Sequence, residues 1–183
     1  MLEQETIHAF VSGDEKALEE VINVYSRPLL RYCISIVCDS EDAKDVLQET
    51  FIKAYEKRRH FCLGTSMNSW LYRIAYTTAI DVVRKRKRRI KLFKAQSEKI
   101  NNTRGNYISE PLYSILLSLS VADRALLYGR VLDERPYEEL SQILNTSEAA
   151  LRKRFERLRN RLAKKAEKKG EHRIFCTKEE CVE

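Results

Sequence analysis

Apolar side chains recur at spacings of three and four residues along most of the chain, which is the period of an amphipathic α-helix. Gly13 is expected to end the first helix, and Pro28 is expected to kink or break the second. Ser40 has the residue type of an N-cap and is expected to start the third. The pattern predicts helices over residues 2–11, 14–37, 39–57, 70–86, 112–119, 121–132, 137–144 and 147–168.

Three stretches lack this period. His60–Asn68 contains Gly64 and is predicted to be a loop. Residues 95–110 are rich in Gln, Ser, Asn and Thr, and they carry too few apolar groups to offset the entropy of ordering them. The prediction is an all-α protein with two small helical domains, 1–94 and 111–169, joined by a flexible linker at 95–110 and followed by a tail at 170–183.

The composition is basic and suits a helical protein. Lys and Arg number 34 against 27 Asp and Glu, so the net charge of +7 favours a polyanionic partner. The 5 Gly and 3 Pro are few for an all-β chain with its many turns. No apolar run approaches the roughly 20 residues of a membrane span, and the acidic N-terminus has no signal-peptide core. We therefore expect a cytoplasmic protein without membrane insertion, with reduced cysteines.

The most informative segment lies between Ser147 and Lys169. Its apolar residues line one helical face, while most of its basic residues fall off that face. The short amphipathic segment Tyr137–Leu144 and a turn at 145–147 precede it, which is the helix-turn-helix pattern. A cationic helix of this kind suits the major groove of DNA. The alternative is an Arg-rich surface helix that closes a bundle.

Two further surfaces are indicated in the first half. Asp42, Asp45 and Glu49 share one face of the third helix, opposite an apolar stripe, and indicate a solvated or partner-binding face. The next helix interleaves aromatic residues with Arg73 and leads into the basic run 84–94. Stacking groups beside cations suit single-stranded nucleic acid, although aromatics at helical spacing also form cores.

Catalysis and metal binding have little support in the sequence. The three histidines are scattered, and there is no Gly-rich phosphate loop, His-Glu-x-x-His or nucleophile elbow. We therefore predict no catalytic residue and no cofactor. His172, Cys176 and Cys181, with Cys62, are candidate zinc ligands, but their spacing matches no common structural zinc pattern. A tail with reduced thiols is favoured.

Four segments, taken in order, resemble the bacterial RNA polymerase sigma factors of the sigma-70 family, in the extracytoplasmic-function (ECF) group. The second and third of them are individually specific. The segments are Gly13–Leu18, Glu41–Tyr55, Trp70–Ala75 with 79–81 and Arg84–Lys85, and Tyr137–Leu140 with Ser147–Arg154. The resemblance implies a factor that directs core RNA polymerase to promoters in response to stress or a signal, under the control of an anti-sigma factor. It implies no chemistry by the protein itself.

The same resemblance implies three sets of binding residues. The third helix would dock on the clamp of the largest polymerase subunits, and the second domain would seat on the flap of the β subunit. The loop and the aromatic helix would hold the melted minus-ten element, and the basic helix would contact the duplex minus-thirty-five element. The predicted sets are Asp42, Asp45, Gln48, Glu49 and Lys53 for polymerase; Phe61, Asn68, Trp70, Arg73, Tyr76, Thr77, Arg84 and Lys85 for minus-ten; and Ser147, Ala150, Arg152, Lys153, Arg154 and Arg157 for minus-thirty-five.

Two other functions remain open at this point. A stand-alone helix-turn-helix regulator would need no polymerase and would usually dimerise to bind a palindrome, but the sequence offers no clear dimer seam. An RNA-binding accessory protein could use the basic run 84–94, but that function leaves the acidic helix unexplained.

Overall fold

The computed structural model describes residues 2–93 and 110–169, and their side chains at 2–90 and 113–164. Within these ranges the protein is helical and has no strand, as predicted. The predicted tail and almost all of the predicted linker, with His172, Cys176 and Cys181, lie outside them. The helices are α1 (Gln4–Ser12), α2 (Glu15–Val37), α3 (Ser40–Glu56), α4 (Met67–Phe93), α5 (Glu110–Leu117), α6 (Val121–Leu127), α7 (Tyr137–Leu144) and α8 (Glu148–Lys169), with a 3₁₀ turn at Arg58–His60 and a π turn at Tyr128–Leu132.

Local side-chain chemistry sets the helix ends. Gly13 adopts a left-handed conformation (φ 99°) and ends α1, as predicted. The Asp39 carboxylate accepts hydrogen bonds from the amides of Glu41 and Asp42, each at 3.0 Å, and caps α3. The predicted N-cap, Ser40, was wrong by one position, because the carboxylate of Asp39 already satisfies these amides. A carboxylate also suits the positive end of the helix dipole.

Three helices differ from their predicted extents. α2 is continuous through Pro28, so the predicted break does not occur. α4 begins before Trp70 and runs past Arg86 to Phe93, because its Arg, Lys and Leu residues favour helix. α6 ends at Leu127 and passes into the π turn, where a Cβ on Gly129 would lie 2.5 Å from the Leu140 side chain. This close approach of the chain to α7 requires glycine.

The helices form two bundles that pack against each other. The N-terminal bundle, α1–α4, buries residues such as Phe10, Val21 and Leu71, and the C-terminal bundle, α5–α8, buries residues such as Leu126 and Leu151. α4 packs on α7 and α2 packs on α6, so the buried apolar cluster is continuous between the bundles. Each fully buried large side chain of this cluster contributes about 1.5–3 kcal/mol of transfer free energy. The positions of the predicted domain boundaries stay a prediction.

Candidate functional site

The predicted polymerase-binding residues lie along one side of α3. Asp45, Gln48 and Glu49 are exposed, and we call this surface the acidic ridge. Asp42 is only half-exposed, because Arg86 of α4 donates to its carboxylate at 3.2 Å. Burial and the neighbouring Asp39 raise the pKa of Asp42, and Arg86 opposes that shift. Asp42 therefore joins α3 to α4, whereas the three exposed residues are available to a partner.

Lys53 lies at the C-terminal end of the ridge and is tied to two neighbours. Its ammonium is 3.3 Å from the Glu49 carboxylate and donates to the Thr78 hydroxyl of α4 at 3.3 Å. The pair with Glu49 is exposed at the carboxylate side, so it contributes little to stability. Lys53 fixes the orientation of Glu49 within the ridge.

An apolar groove of about 600 Å³ runs beside the acidic ridge, between α2 and α3. Ile52 on its wall is 46% exposed and extends the apolar surface of the groove to the outside of α3. The sequence pattern did not predict this groove, because Leu18 and Ile22 were assigned to the inner face of α2. The groove is lined by Leu18, Ile22, Ser26, Lys44, Leu47, Gln48, Phe51, Ile52, Tyr55 and Glu56.

The predicted base-capture loop is rooted in the N-terminal bundle. Phe61 is buried, and its ring contacts Trp70 edge-on at 5.2 Å between centroids. The tip of the loop is exposed at Leu63 and Gly64, and the left-handed Gly64 (φ 90°) turns the chain there. The structure therefore places Phe61 as the support of the loop and the 62–66 tip as its accessible part.

The predicted minus-ten residues on α4 divide into exposed and covered groups. Arg73, Thr77, Arg84 and Lys85 are exposed, Asn68 and Trp70 are half-buried, and Tyr76 is buried. Burial raises the pKa of the Tyr76 phenol, and Arg154 of α8 opposes that shift. The exposed cations continue along the last turns of the helix as Lys87, Arg88 and Arg89.

The predicted minus-thirty-five residues lie on the N-terminal half of α8. The Ser147 hydroxyl accepts from the Ala150 amide at 3.4 Å and caps the helix, and both residues are exposed. Arg152 pairs with Glu148 at 3.2 Å and lies over the Tyr137 ring, 4.5 Å from its centroid. These contacts orient the guanidinium without enclosing it.

The remaining basic residues of this set differ in how firmly they are held. Lys153 is exposed, and Arg157 donates to the Lys153 carbonyl at 3.2 Å. Arg154 donates to the carboxylate of Asp123 at 2.7 Å and to the Ser120 hydroxyl at 3.2 Å. The side chain of Arg154 is therefore held in one direction by two partners, whereas that of Lys153 is exposed.

Asp123 of α6 organises a cluster of charged residues beside α8 that the sequence pattern did not reveal. Its buried carboxylate accepts from Arg154 and also from Arg161, the latter at 3.0 Å. Burial opposes its ionisation, but the hydrogen bonds from Arg154, Ser120 and Arg161 hold the pKa of Asp123 below its ordinary value. Asp123, Arg154 and Arg161 line a surface cavity of about 360 Å³ beside α8. Asp123 thus sets the direction of two arginines on the predicted DNA-binding helix.

No helix among the residues that the structure describes is both long and apolar enough to cross a membrane. No group of three or more His, Cys, Asp or Glu side chains in the described ranges is arranged to hold a metal ion. Cys62 is exposed on the loop, while Cys33 and Cys38 are buried free thiols.

Comparisons with known proteins identify the relatives of this chain. Residues 21–89 match the family model described as Sigma-70 region 2. The ECF RNA polymerase sigma factor SigM of Bacillus subtilis is 29% identical over 154 residues, which are 79% of this chain and 92% of SigM. The ECF sigma factor SigW of the same organism is 31% identical over 87 residues, and this alignment spans 48% of this chain and 46% of SigW.

A solved structure shows the same fold. It is the sigma factor RpoE of Bartonella quintana in complex with the anti-sigma factor NepR, with a TM-score of 0.66. The match covers 81% of this chain and 96% of RpoE at 24% identity, which bears on the fold alone. Together with the sequence matches, it leads to one assignment: the chain belongs to the sigma-70 family of RNA polymerase sigma factors, in the ECF group.

Proposed function

We propose that this protein binds core RNA polymerase and directs it to specific promoters, without catalysing a reaction itself. The observation that carries the proposal is the separation of three surfaces on one chain. An acidic ridge with an apolar groove lies on α3, and two cationic surfaces lie on α4 and α8. A polyanionic partner accounts for the two cationic surfaces only. The ridge requires a second, protein partner.

The ridge and the groove together form the proposed polymerase-docking surface. Asp45 and Glu49 would meet basic residues of the polymerase clamp, where complementary charge sets orientation and association rate. The adjacent groove would supply the apolar contacts that determine the dissociation rate. Exposed Ile52 is its most accessible large side chain. Ile52→Asp should therefore weaken polymerase binding while leaving α3 helical.

A second polymerase contact is proposed on the C-terminal bundle. Leu117, Val131 and Leu132 are 47%, 43% and 65% exposed. They lie at the end of α5 and in the π turn, away from α8 in the chain. Exposed aliphatic side chains at these positions would seat on the flap of the β subunit. Once one of the two surfaces has bound polymerase, the linked second surface is held at a high effective concentration near its own site. Two weak contacts on one chain therefore give tighter binding than either contact alone.

The promoter contacts are proposed as two different kinds of binding. The 61–68 loop would capture a base extruded from the non-template strand, while Arg73, Thr77, Arg84 and Lys85 hold the melted backbone. Unstacking a base costs a few kcal/mol. Contacts of the extruded base with its pocket and stacking on protein side chains offset this cost. Asn68, Trp70 and Tyr76 would join this site.

The proposed role of α8 is duplex recognition in the major groove. Ser147, Ala150 and Arg152 lie at its N-terminal end, which is the part of a recognition helix that contacts base edges. The oriented guanidinium of Arg154 suits base readout, and the mobile ammonium of Lys153 and the adjacent Arg157 suit phosphates. The target sequence would thus depend most on Arg154.

We also propose that an anti-sigma factor controls this protein, and that it acts in the cytoplasm with the polymerase. The related fold of RpoE is known in complex with such a partner. The apolar α2–α3 groove is exposed and would be covered by either partner. Competition between polymerase and an anti-sigma factor for one surface would give simple control.

Run-off transcription with purified core polymerase tests the proposal. The protein would first be overexpressed in cells, and the transcript start sites that appear would be mapped. A DNA fragment that carries one of these promoters then serves as the template. We expect start-specific transcripts with the protein and none without it. A stand-alone helix-turn-helix regulator or an RNA-binding accessory protein would give no transcripts in this assay, and that result would reject the proposed function.

A further inference from the structure

The outer ridge of α8 is the row of side chains that faces away from the rest of the protein. Leu151, Leu158 and Leu162 face inward and are buried. A helix turns about 100° per residue, so the side chains opposite this buried stripe form a row of their own that begins at Ala149. A recognition helix that enters the major groove presents such a row to the base pairs. The exposed members of the row are Ala149, Lys153, Glu156 and Asn160.

Glu156 is the acidic member of the outer ridge, and its carboxylate is open. The side chain is exposed, and it makes no hydrogen bond or ion pair with the residues that the structure describes. Arg152 and Lys153 lie one turn before it on the helix, at spacings where opposite charges often pair. The carboxylate is therefore available to a donor outside the protein, although cations surround it.

The neighbouring arginines are engaged by other partners. The Arg152 guanidinium pairs with the Glu148 carboxylate, one turn nearer the start of the helix, at 3.2 Å. The Nε hydrogen of Arg157 is donated to the Lys153 carbonyl at 3.2 Å. Because these contacts use the nearest guanidinium groups, the Glu156 carboxylate keeps both of its oxygens open as acceptors.

A carboxylate on the outer ridge weakens DNA binding if the helix contacts only phosphates. Phosphates are negative, and the cations that neutralise them supply affinity that does not depend on sequence. A negative side chain beside them lowers that affinity unless a hydrogen-bond donor meets it. In duplex DNA the donors that a side chain can reach in the major groove belong to the base edges. The position of Glu156 therefore favours a contact with a base.

The hydrogen-bonding pattern of the four bases selects cytosine as that base. Cytosine and adenine each present an amino group in the major groove, whereas guanine and thymine present carbonyl oxygens that repel a carboxylate. Adenine also carries the N7 acceptor beside its amino group. Because an ionised carboxylate only accepts hydrogen bonds, the N4 amino group of cytosine is its best partner.

We propose that Glu156 is a specificity-determining residue, which accepts a hydrogen bond from the N4 amino group of a cytosine in the minus-thirty-five element. This inference rests on the proposed function and extends it by one base, which the basic residues of α8 do not specify. One such contact should favour cytosine over the other bases by at least about 5-fold in affinity, the lower end of the range for a specific base contact.

Selection of promoters by the holoenzyme, the full chain bound to core polymerase, tests the proposal. The template is a duplex library in which the minus-thirty-five element of a mapped promoter is randomised, and bound sequences are counted. The wild type should prefer cytosine at one position by at least about 5-fold. Glu156→Ala should reduce this preference below about 2-fold and leave the preferences at the other positions unchanged.

Glu156→Gln should change the preferred base rather than remove the preference. Glutamine has nearly the same shape as glutamate, but its amide can both donate and accept, which matches N7 and N6 of adenine. The preference at the same position should therefore move from cytosine to adenine. Glu138→Gln is the matched control, because Glu138 is exposed on α7, and it should keep the wild-type pattern. Circular dichroism should be unchanged in all three variants, since both glutamates are exposed.

Two outcomes would overturn the proposal. Both Glu156 variants could keep the wild-type preferences at every position, which would show that no base contacts this side chain. They could instead bind all sequences more tightly by the same factor, which would show that the carboxylate only repels phosphates. Failure of the proposed function looks different, because the wild-type holoenzyme would then select no minus-thirty-five sequence at all.

Discussion

The acidic ridge on α3 is open to solvent, whereas the α4 residues Tyr72 and Tyr76 lie under the C-terminal bundle. Asp45 and Glu49 are exposed, but Tyr72 and Tyr76 are buried. Both helices belong to the N-terminal bundle, and both carry residues that the family resemblance assigns to binding. The difference shows that the acidic ridge is available to a partner as the structure stands, whereas Tyr72 and Tyr76 serve the packing of the two bundles.

Reversing the charge of the ridge should give the largest effect. Asp45→Arg with Glu49→Arg should abolish co-purification with core polymerase, a loss of at least about 100-fold, because both carboxylates face the partner and like charges repel there. Circular dichroism should show unchanged helical content. Glu3→Arg with Glu5→Arg makes the same charge change on α1 and should leave binding intact. A ridge variant that still supports transcription would show that the docking face is elsewhere.

Arg154→Ala should have a smaller and template-dependent effect. We expect about tenfold less transcription from a duplex promoter, since one base-contacting arginine is worth about 1–3 kcal/mol. A template with a premelted minus-ten region should be affected much less. Lys153→Ala should weaken transcription only slightly and without regard to promoter sequence. Equal losses on both templates would indicate a folding defect rather than a lost contact.

Asp123→Asn should lower the free energy of unfolding by about 1–3 kcal/mol at pH 7, because Arg154 and Arg161 lose a charged acceptor. The pKa of Asp123 is lowered in the folded state, so its contribution is present above the ordinary carboxyl pKa of about 4 and is lost as the pH falls below it. Urea denaturation of wild type and variant should therefore converge in acid. Equal free energies of unfolding for wild type and variant at neutral pH would show that the Asp123 carboxylate does not stabilise the fold.

Asn145→Gly should give the smallest change. Asn145 is left-handed (φ 50°), a conformation that glycine adopts without cost, so stability should stay within about 0.5 kcal/mol. The substitution also removes the long, exposed hydrogen bond from Arg73, which contributes little to stability. Asn145→Val is the contrast, because a β-branched residue in this conformation should cost at least about 1 kcal/mol. Thermal unfolding distinguishes the two, and equal losses would mean that the turn conformation does not matter.

Helix positions and the ridge could be predicted because they depend on local patterns. The spacing of Asp42, Asp45 and Glu49 follows directly from the helical period, and so does the cationic face of α8. The left-handed Gly13 follows from residue type. Most of the helices could therefore be predicted from the spacing of apolar residues and from residue types at helix ends.

The polar contacts between α4 and α7 and the Asp123 cluster could not be predicted, because they join residues distant in the chain. Ser69 and Glu139 are 70 positions apart, and nothing in either local sequence indicates the other. Arg135 lies between an acidic residue and a proline, which resembles a solvated turn rather than a buried cation. The α2–α3 groove was missed for a related reason: periodicity shows that Leu18 and Ile22 share a face with core residues, but not that a neighbouring helix leaves them partly uncovered.

Binding to promoter DNA with and without core polymerase tests the central claim most directly. Fluorescence anisotropy with a labelled duplex, carrying a mapped promoter, would be measured at moderate salt. The account predicts weak binding by the free protein and specific, nanomolar binding only when polymerase is present. Specific nanomolar binding by the protein alone would contradict it, since polymerase would then not be required for promoter recognition.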